Sequence, residues 1–311
     1  MGKGLKGTLQ VSFLLVFFLV PAPLLAALPL HQDLLPAVAG AYQYGLYGYD
    51  NPAVLVYLHQ PDFYFTWSDQ ENTAGKLRKW GFFGAIPRLG FGMVREETAA
   101  GSVRDYRLSM ATGDRSFAVG LGYGWSRGDI GLFTRDRLLT AGFLARPTRW
   151  LSVGATGYHG LKRGEQQLAL DLALRPGGNE KLTIFTGLRM DKGDRLDEGR
   201  WAAGFIYEGL AGLRLTGQVL EKSLTVGASV SLGRFGYTQH VRTDQENDAV
   251  ATTHGLRFGA YDRTFRDRYL RRGKNYLYLN LQGNLGYRRF RFFDSSNTLY
   301  EVLAAIAGAE C

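Results

Sequence analysis

The sequence has one cysteine among 311 residues, and that one, Cys311, is the last. An internal disulfide and a cysteine-based metal site are therefore excluded. Histidine is scarce too. His31, His59, His159, His240 and His254 are scattered and form no H-x-x-H or H-E-x-x-H pattern, so no metal centre is expected. There is no G-x-S-x-G elbow, no P-loop and no dinucleotide fingerprint. No catalytic residue and no cofactor can be named. After Val20 no apolar stretch approaches the roughly 20 residues that a spanning helix needs.

What is present starts with a leader. Met1–Gln10 carries Lys3 and Lys6 and no acid, Val11–Val20 is almost wholly apolar, and Pro21–Ala27 is rich in small residues. This is the layout of a secretory signal peptide over 1–27, with cleavage after Ala26 or Ala27. The A-x-A match is imperfect, because its first position would be Leu24 or Leu25. No cysteine stands just after the apolar run, which excludes a lipoprotein signal. The competing reading, an uncleaved anchor, suffers from the shortness of the apolar run. The formal net charge of +9 would suit nucleic acid or acidic lipid, and export excludes nucleic acid.

The dominant signal is alternation. In Phe117–Trp125 every odd position is large and apolar and every even one is Ala or Gly. Gln167–Arg175 and Leu224–Leu232 repeat the pattern. Side chains alternate faces along a strand, so each segment has one apolar wall and one small or polar wall. Fourteen such segments begin near Asp62, Lys79, Arg88, Val103, Phe117, Arg137, Trp150, Glu165, Lys181, Arg200, Gly212, Ser223, Phe235 and Thr252. Long polar links (68–78, 96–102, 126–136, 159–164, 191–199, 243–251) alternate with short ones, and the brief link Glu221–Lys222 is the exception. Outer-membrane barrels place long loops outside and tight turns on the periplasmic side. An even strand number returns both barrel ends to the periplasm. All five tryptophans, Trp67, Trp80, Trp125, Trp150 and Trp201, lie near strand ends, as does Tyr207, where interfacial girdles belong.

The expected fold is all-β: an antiparallel transmembrane β-barrel of about fourteen strands, with twelve as the alternative count, over residues 62–262. Its location is the bacterial outer membrane, with outer-membrane lipid as partner. A secreted soluble β-sandwich binding protein also alternates, but its second face would carry Lys, Glu and Thr. Here that face is often Gly, Ala or Ser, as at Gly120, Gly122, Gly227 and Ser229.

Upstream, 28–61 reads as a plug-like segment. Its most specific string is Asp50-Asn51-Pro52-Ala53, which follows a Tyr/Gly run over Tyr42–Tyr49. The string resembles the Asn-Pro-Ala segment of the FadL-like and PorV-like outer-membrane barrels. That resemblance implies a fourteen-stranded barrel, a segment including Asn51, Pro52 and Ala53 packed in or under the lumen, and a lumen that serves a hydrophobic solute. Asn-Pro as a simple turn is the alternative. Asp105, Arg107, Asp171, Arg175, Arg189, Arg214 and Arg257 fall on the expected lumen face. They could line a solute path or pair with one another across a filled barrel. The acidic run Asp244–Asp248 reads as a solvated loop.

Past the barrel, 263–275 is a basic linker containing Arg263, Arg266, Arg268, Arg271, Arg272 and Lys274. It suits a solvated tether or contact with anionic headgroups. Tyr276–Leu281 then reads as a strand, and Leu299–Ala307 as a helix opened by the capping box Thr298-Leu-Tyr-Glu301. One strand and one helix cannot bury a core, so 276–311 reads as the truncated start of a periplasmic α/β domain that continues beyond Cys311. Tyr276–Gly283 and Asn297–Ala307 resemble the opening of the S49 signal peptide peptidase (SppA-type) domain. That resemblance implies a parent with a serine nucleophile and a lysine base far downstream, none of it in this chain; Lys274 precedes the strand and is no candidate base. Two roles follow for the barrel: anchor or scaffold for such a domain, or FadL-like channel for hydrophobic solutes.

Overall fold

The computed structural model describes residues 34, 40–41, 45–70, 77–133, 135, 137–220, 223–244 and 249–259, together with the backbone of four short strands nearer the C-terminus. The leader, the basic linker 263–275, the pair 221–222 and residues 245–248 of the acidic run lie outside the described residues.

Fourteen strands form one closed barrel. They are β1 (Asp62–Gln70), β2 (Lys79–Ile86), β3 (Leu89–Thr98), β4 (Gly101–Gly113), β5 (Phe117–Gly128), β6 (Leu138–Ala145) and β7 (Leu151–Gly160). The second half comprises β8 (Gln166–Leu174), β9 (Leu182–Asp191), β10 (Arg200–Leu210), β11 (Leu213–Leu220), β12 (Ser223–Ser231), β13 (Phe235–Thr243) and β14 (Ala249–Phe258). Each pairs antiparallel with its sequence neighbours, and β1 pairs with β14 to close the ring. The largest departure from the expected starts is at β14, which begins at Ala249 rather than near Thr252.

The register shows why this sequence closes into a barrel. Leu121 of β5 lies opposite Met110 of β4 and Ala141 of β6, and all three belong to the outer face. Around the wall, Leu121, Leu170, Ile184, Phe205 and Val226 all remain exposed on that face. An apolar patch of that extent on a water-soluble protein would be an aggregation site, whereas hydrocarbon is its natural solvent. Towards the loop end aromatics take over: Trp67 lies opposite Trp80, and Tyr106 stacks on Trp125 with centroids 5.4 Å apart. Trp150 and Tyr207 mark the turn end. The soluble β-sandwich is set aside, because these fourteen strands close into one barrel rather than two sheets packed face to face.

Short turns join β2–β3, β4–β5, β6–β7, β8–β9, β10–β11 and β12–β13 at one end. Gly212 and Gly233, with φ of 80° and 92°, supply left-handed corners there. One link is shorter than expected. Residues 96–102 are mostly strand, with only a two-residue turn between Thr98 and Gly101. Their polarity marks strand ends that rise past the apolar belt.

The tail corrects the expected α/β stub. Tyr276–Leu277, Arg288–Phe293, Leu299–Ala305 and Gly308–Glu310, strands β15 to β18, form a four-stranded antiparallel sheet. The helix expected over Leu299–Ala307 is instead strand β17, set with Phe290 opposite Val302 and Arg291 opposite Glu301. A short apolar run fits either periodicity, and pairing with the aromatic strand β16 decides for the strand.

A charge on the outer face should be costly. Leu121→Arg is expected to lose roughly 2–4 kcal/mol of folding free energy in lipid vesicles, the midplane cost for a barrel strand. Denaturant titration followed by the heat-dependent shift on SDS gels measures it, and an unchanged midpoint would contradict a lipid-facing β5.

Candidate functional site

Residues 45–58, which precede β1, lie inside the barrel, and their local sequence explains how the chain turns there. Gly45, Tyr47 and Gly48 all adopt left-handed backbone, with φ of 53°, 52° and 82°. This is the use of the Tyr/Gly run. Glycine takes that region freely, whereas Tyr47 bears a cost of about 1 kcal/mol or more that its contacts must offset. Asn51 then caps a 3-10 helix, Pro52–Tyr57: its Oδ1 accepts from the Ala53 N–H at 3.0 Å, and Pro52 fills the first position, where no N–H is needed. The other end of the same amide, Nδ2, donates to the Phe143 carbonyl of β6 at 3.1 Å. One buried side chain thus both starts the helix and fastens it to the wall.

The wall answers with hydrogen bonds aimed at the segment's backbone. Ser109 of β4 donates to the Gly48 carbonyl at 2.8 Å, Tyr158 of β7 to the Asp50 carbonyl at 2.7 Å, and Arg107 of β4 to the Tyr49 carbonyl. The Arg107 guanidinium also lies 4.2 Å from the centre of the Tyr49 ring. Tyr57 donates to the Arg115 carbonyl at 2.8 Å, while Arg146 covers its ring at 3.9 Å. Tyr47 donates to Asp62 at 2.8 Å, and Asp62 is paired with Arg257 of β14 at 2.7 Å. Burial, reinforced by the neighbouring Asp62 carboxylate, pushes the Tyr47 phenol well above its ordinary pKa, so it stays a donor. Burial likewise raises that of Tyr49.

The alternating glycines make room for this segment. A Cβ on Gly120 would stand 2.6 Å from Pro52, one on Gly142 would strike the Asn51 side chain, and one on Gly90 the Tyr47 carbonyl. Around that footprint Leu46, Tyr49, Leu55 and Leu58 pack with Tyr64, Phe83 and Val94, and Ala53, Val54 and Tyr57 with Ala118 and Leu144. Asn51, Pro52 and Ala53 are all buried.

The seven charges expected on the lumen face are found in different circumstances. Asp105 is held by Arg135 at 2.9 Å and by Ser126 at 2.6 Å, and Arg135 also reaches Glu96 at 2.8 Å. Arg214 pairs with Glu208 at 2.8 Å and Arg257 with Asp62. Arg107 serves the segment. Arg175, just past β8, reaches the Ala41 carbonyl at 3.4 Å. Asp171 lies against Gly40, and Arg189 faces Ala169 across the β8–β9 pair. The set is therefore dispersed. Sequence reasoning missed Tyr47, Ser109, Arg135 and Tyr158; only the Tyr/Gly run carried a signal for any of them.

The anchoring hydrogen bonds described above run to β1, β4, β6, β7 and the turns after β4 and β8. The wall from β11 to β13 differs. Gln218, Thr225, Gly227, Ser229 and Arg242 are half-buried and share the lumen face by register. His240 points inward among them and fits because Gly227 opposite lacks a Cβ. Its Nδ1 has no hydrogen-bond partner among the described residues. No group of three His, Cys, Asp or Glu residues able to hold a metal ion occurs among the described residues.

No family model matches the sequence, and no curated protein matches it. Among solved structures, porins and a hydrocarbon channel align with the chain. The CymD monoaromatic hydrocarbon channel aligns with TM-score 0.47 at 10% identity, covering 74% of this chain and 96% of that one. The KdgM porin aligns with TM-score 0.36 at 11% identity, covering 64% and 98%. A triple mutant of the Rhodopseudomonas blastica porin gives 0.35 at 9%, again 64% and 98%. At such identities none of them carries a solute or a role over to this chain.

Asn51→Ala removes the cap and the Phe143 bond together. It is expected to cost the docked segment about 1–2 kcal/mol, seen as faster hydrogen exchange over 45–58 with the barrel strands unchanged. Gly142→Val is expected to free the same peptide by collision with Asn51. Protection that persists over 45–58 in both variants would refute the docking.

Proposed function

We propose that this chain is an outer-membrane channel whose bore is narrowed on one side by its own N-terminal segment, leaving a path for small polar solutes along the β11–β13 wall. The observation that carries the proposal is the asymmetry of the lumen. One side is filled by residues 45–58, held by hydrogen bonds and apolar contacts, while the other presents half-exposed Gln218, Thr225, Ser229 and Arg242. The apolar exterior and aromatic rims support insertion in a bilayer. A leader over 1–27 would deliver the chain there with its tail in the periplasm, and the long loops would then face outward.

A hydrophobic solute, implied by the FadL-like and PorV-like resemblance, is less well served. The apolar interior is taken up by the segment's own Leu46, Leu55 and Tyr49, and the wall left over is hydroxyl, amide and cation. Of the seven inward charges, Asp105, Arg214 and Arg257 are engaged in ion pairs, so the β11–β13 wall rather than these charges would line the path. A barrel that anchors an S49-like domain rests on Tyr276–Gly283 and Asn297–Ala307. The antiparallel sheet formed there lacks the strand-then-helix order that reading needs.

Conductance in a planar bilayer tests the proposal. The intact barrel is expected to give small, steady steps. Thr225→Leu with Ser229→Leu should shrink them, and Gly142→Val, which expels the segment, should enlarge them. Silence in the intact protein and in Gly142→Val alike would overturn the channel and leave an anchor.

A further inference from the structure

Three arginines stand in a single row across neighbouring strands on the outside of the barrel. Arg95 of β3 lies opposite Arg104 of β4, and Arg104 lies opposite Arg127 of β5. All three share a face with Tyr106 and Trp125, which are one step nearer the belt on the same strands. Trp80 of β2 flanks the row opposite Arg95. Residues directly opposite on one face lie about 5 Å apart, and like charges so placed repel. The protein relieves little of this. Arg95 reaches Glu97 at 2.7 Å, whereas Arg104 and Arg127 are exposed and have no acidic partner among the described residues.

The height of the row matters as much as its charge. Tyr106 stacks on Trp125 at the upper limit of the apolar belt, at the loop end of the barrel. Interfacial aromatics sit at headgroup level, and the arginines are one step beyond them, with long stems that can lie along the wall while their heads reach outward. A guanidinium receives phosphate oxygens through two parallel N–H donors, so three in a row form a comb matched to clustered phosphates.

We propose that Arg95, Arg104 and Arg127 form a binding site for the phosphate groups of an anionic lipid headgroup in the leaflet on the loop side. The site rests on the reading above that the barrel spans a membrane with its loops outward. Lipid phosphates neutralise the row, and the Tyr106–Trp125 pair lies against the upper acyl chains.

Native mass spectrometry of the detergent-purified full chain tests this, with lipid A, a doubly phosphorylated glycolipid, and zwitterionic phosphatidylcholine as probes. The wild type is expected to retain lipid A in preference to phosphatidylcholine. Arg104→Gln should weaken retention about fivefold, and the triple glutamine variant on the order of a hundredfold, if each arginine near the surface contributes as juxtamembrane cations do. Equal retention by wild type and triple variant overturns the proposal, as does displacement of lipid A by millimolar inorganic phosphate, which would mark a site for the free anion. If the triple variant fails to fold, Arg104→Gln decides, because that side chain is exposed and has no hydrogen bond or ion pair among the described residues to lose. A heat-dependent gel shift on each sample separates the two ideas. A wild type without the shift sinks the membrane reading itself, whereas a shifted, folded barrel indifferent to lipid A sinks only the arginine site.

Discussion

Everything in this molecule depends on the pairing of β1 with β14. Hydrocarbon offers a backbone N–H or carbonyl no partner, so a sheet that crosses it can have no edge. Residues 63–70 pair with 251–258 and remove the last one. Once the ladder is closed, the two faces of every strand acquire opposite solvents. The outer face must be greasy at all heights of the belt, and the inner face is free to be small, polar or charged. The alternation of Phe117–Trp125 is the local imprint of that global requirement.

The inner face is used unevenly. From β3 to β6 it is carved down to glycine so that the segment can come close: the Pro52 backbone against Gly120, the Asn51 side chain against Gly142. On β12 and β13, Gly227 admits the His240 ring instead, and hydroxyls fill the neighbouring positions. The same residue type therefore serves two ends, a docking floor on one side and side-chain clearance on the other. The ion pair Arg214–Glu208 at 2.8 Å holds both of its charges without help from a solute.

The barrel was legible because its pattern is period two and repeats. Strand starts such as Asp62, Phe117 and Arg200 are marked by the change from polar link to alternating run. The string Asp50–Ala53 drew notice because Asn-Pro is distinctive, yet its anchors were invisible. Ser109 and Tyr158 are single polar residues on strands full of them, and their partners stand 61 and 108 residues away in sequence. The small face was legible as small, but which glycine met which residue depended on three-dimensional register. The tail failed for a different reason. Leu299–Ala305 is short and apolar, its capping string fits many contexts, and only the partner strand Arg288–Phe293 settles its form.

Asp62 has a place in assembly as well as in the finished fold. It opens β1, it holds Arg257 from β14, 195 residues away, and it receives the Tyr47 hydroxyl from the interior segment. The side chain that bridges the seam is thus also the one that senses whether the interior is occupied. A ring closed around an empty bore would leave that carboxylate without the Tyr47 hydroxyl. One carboxylate therefore ties the closure of the ring to the seating of the interior segment.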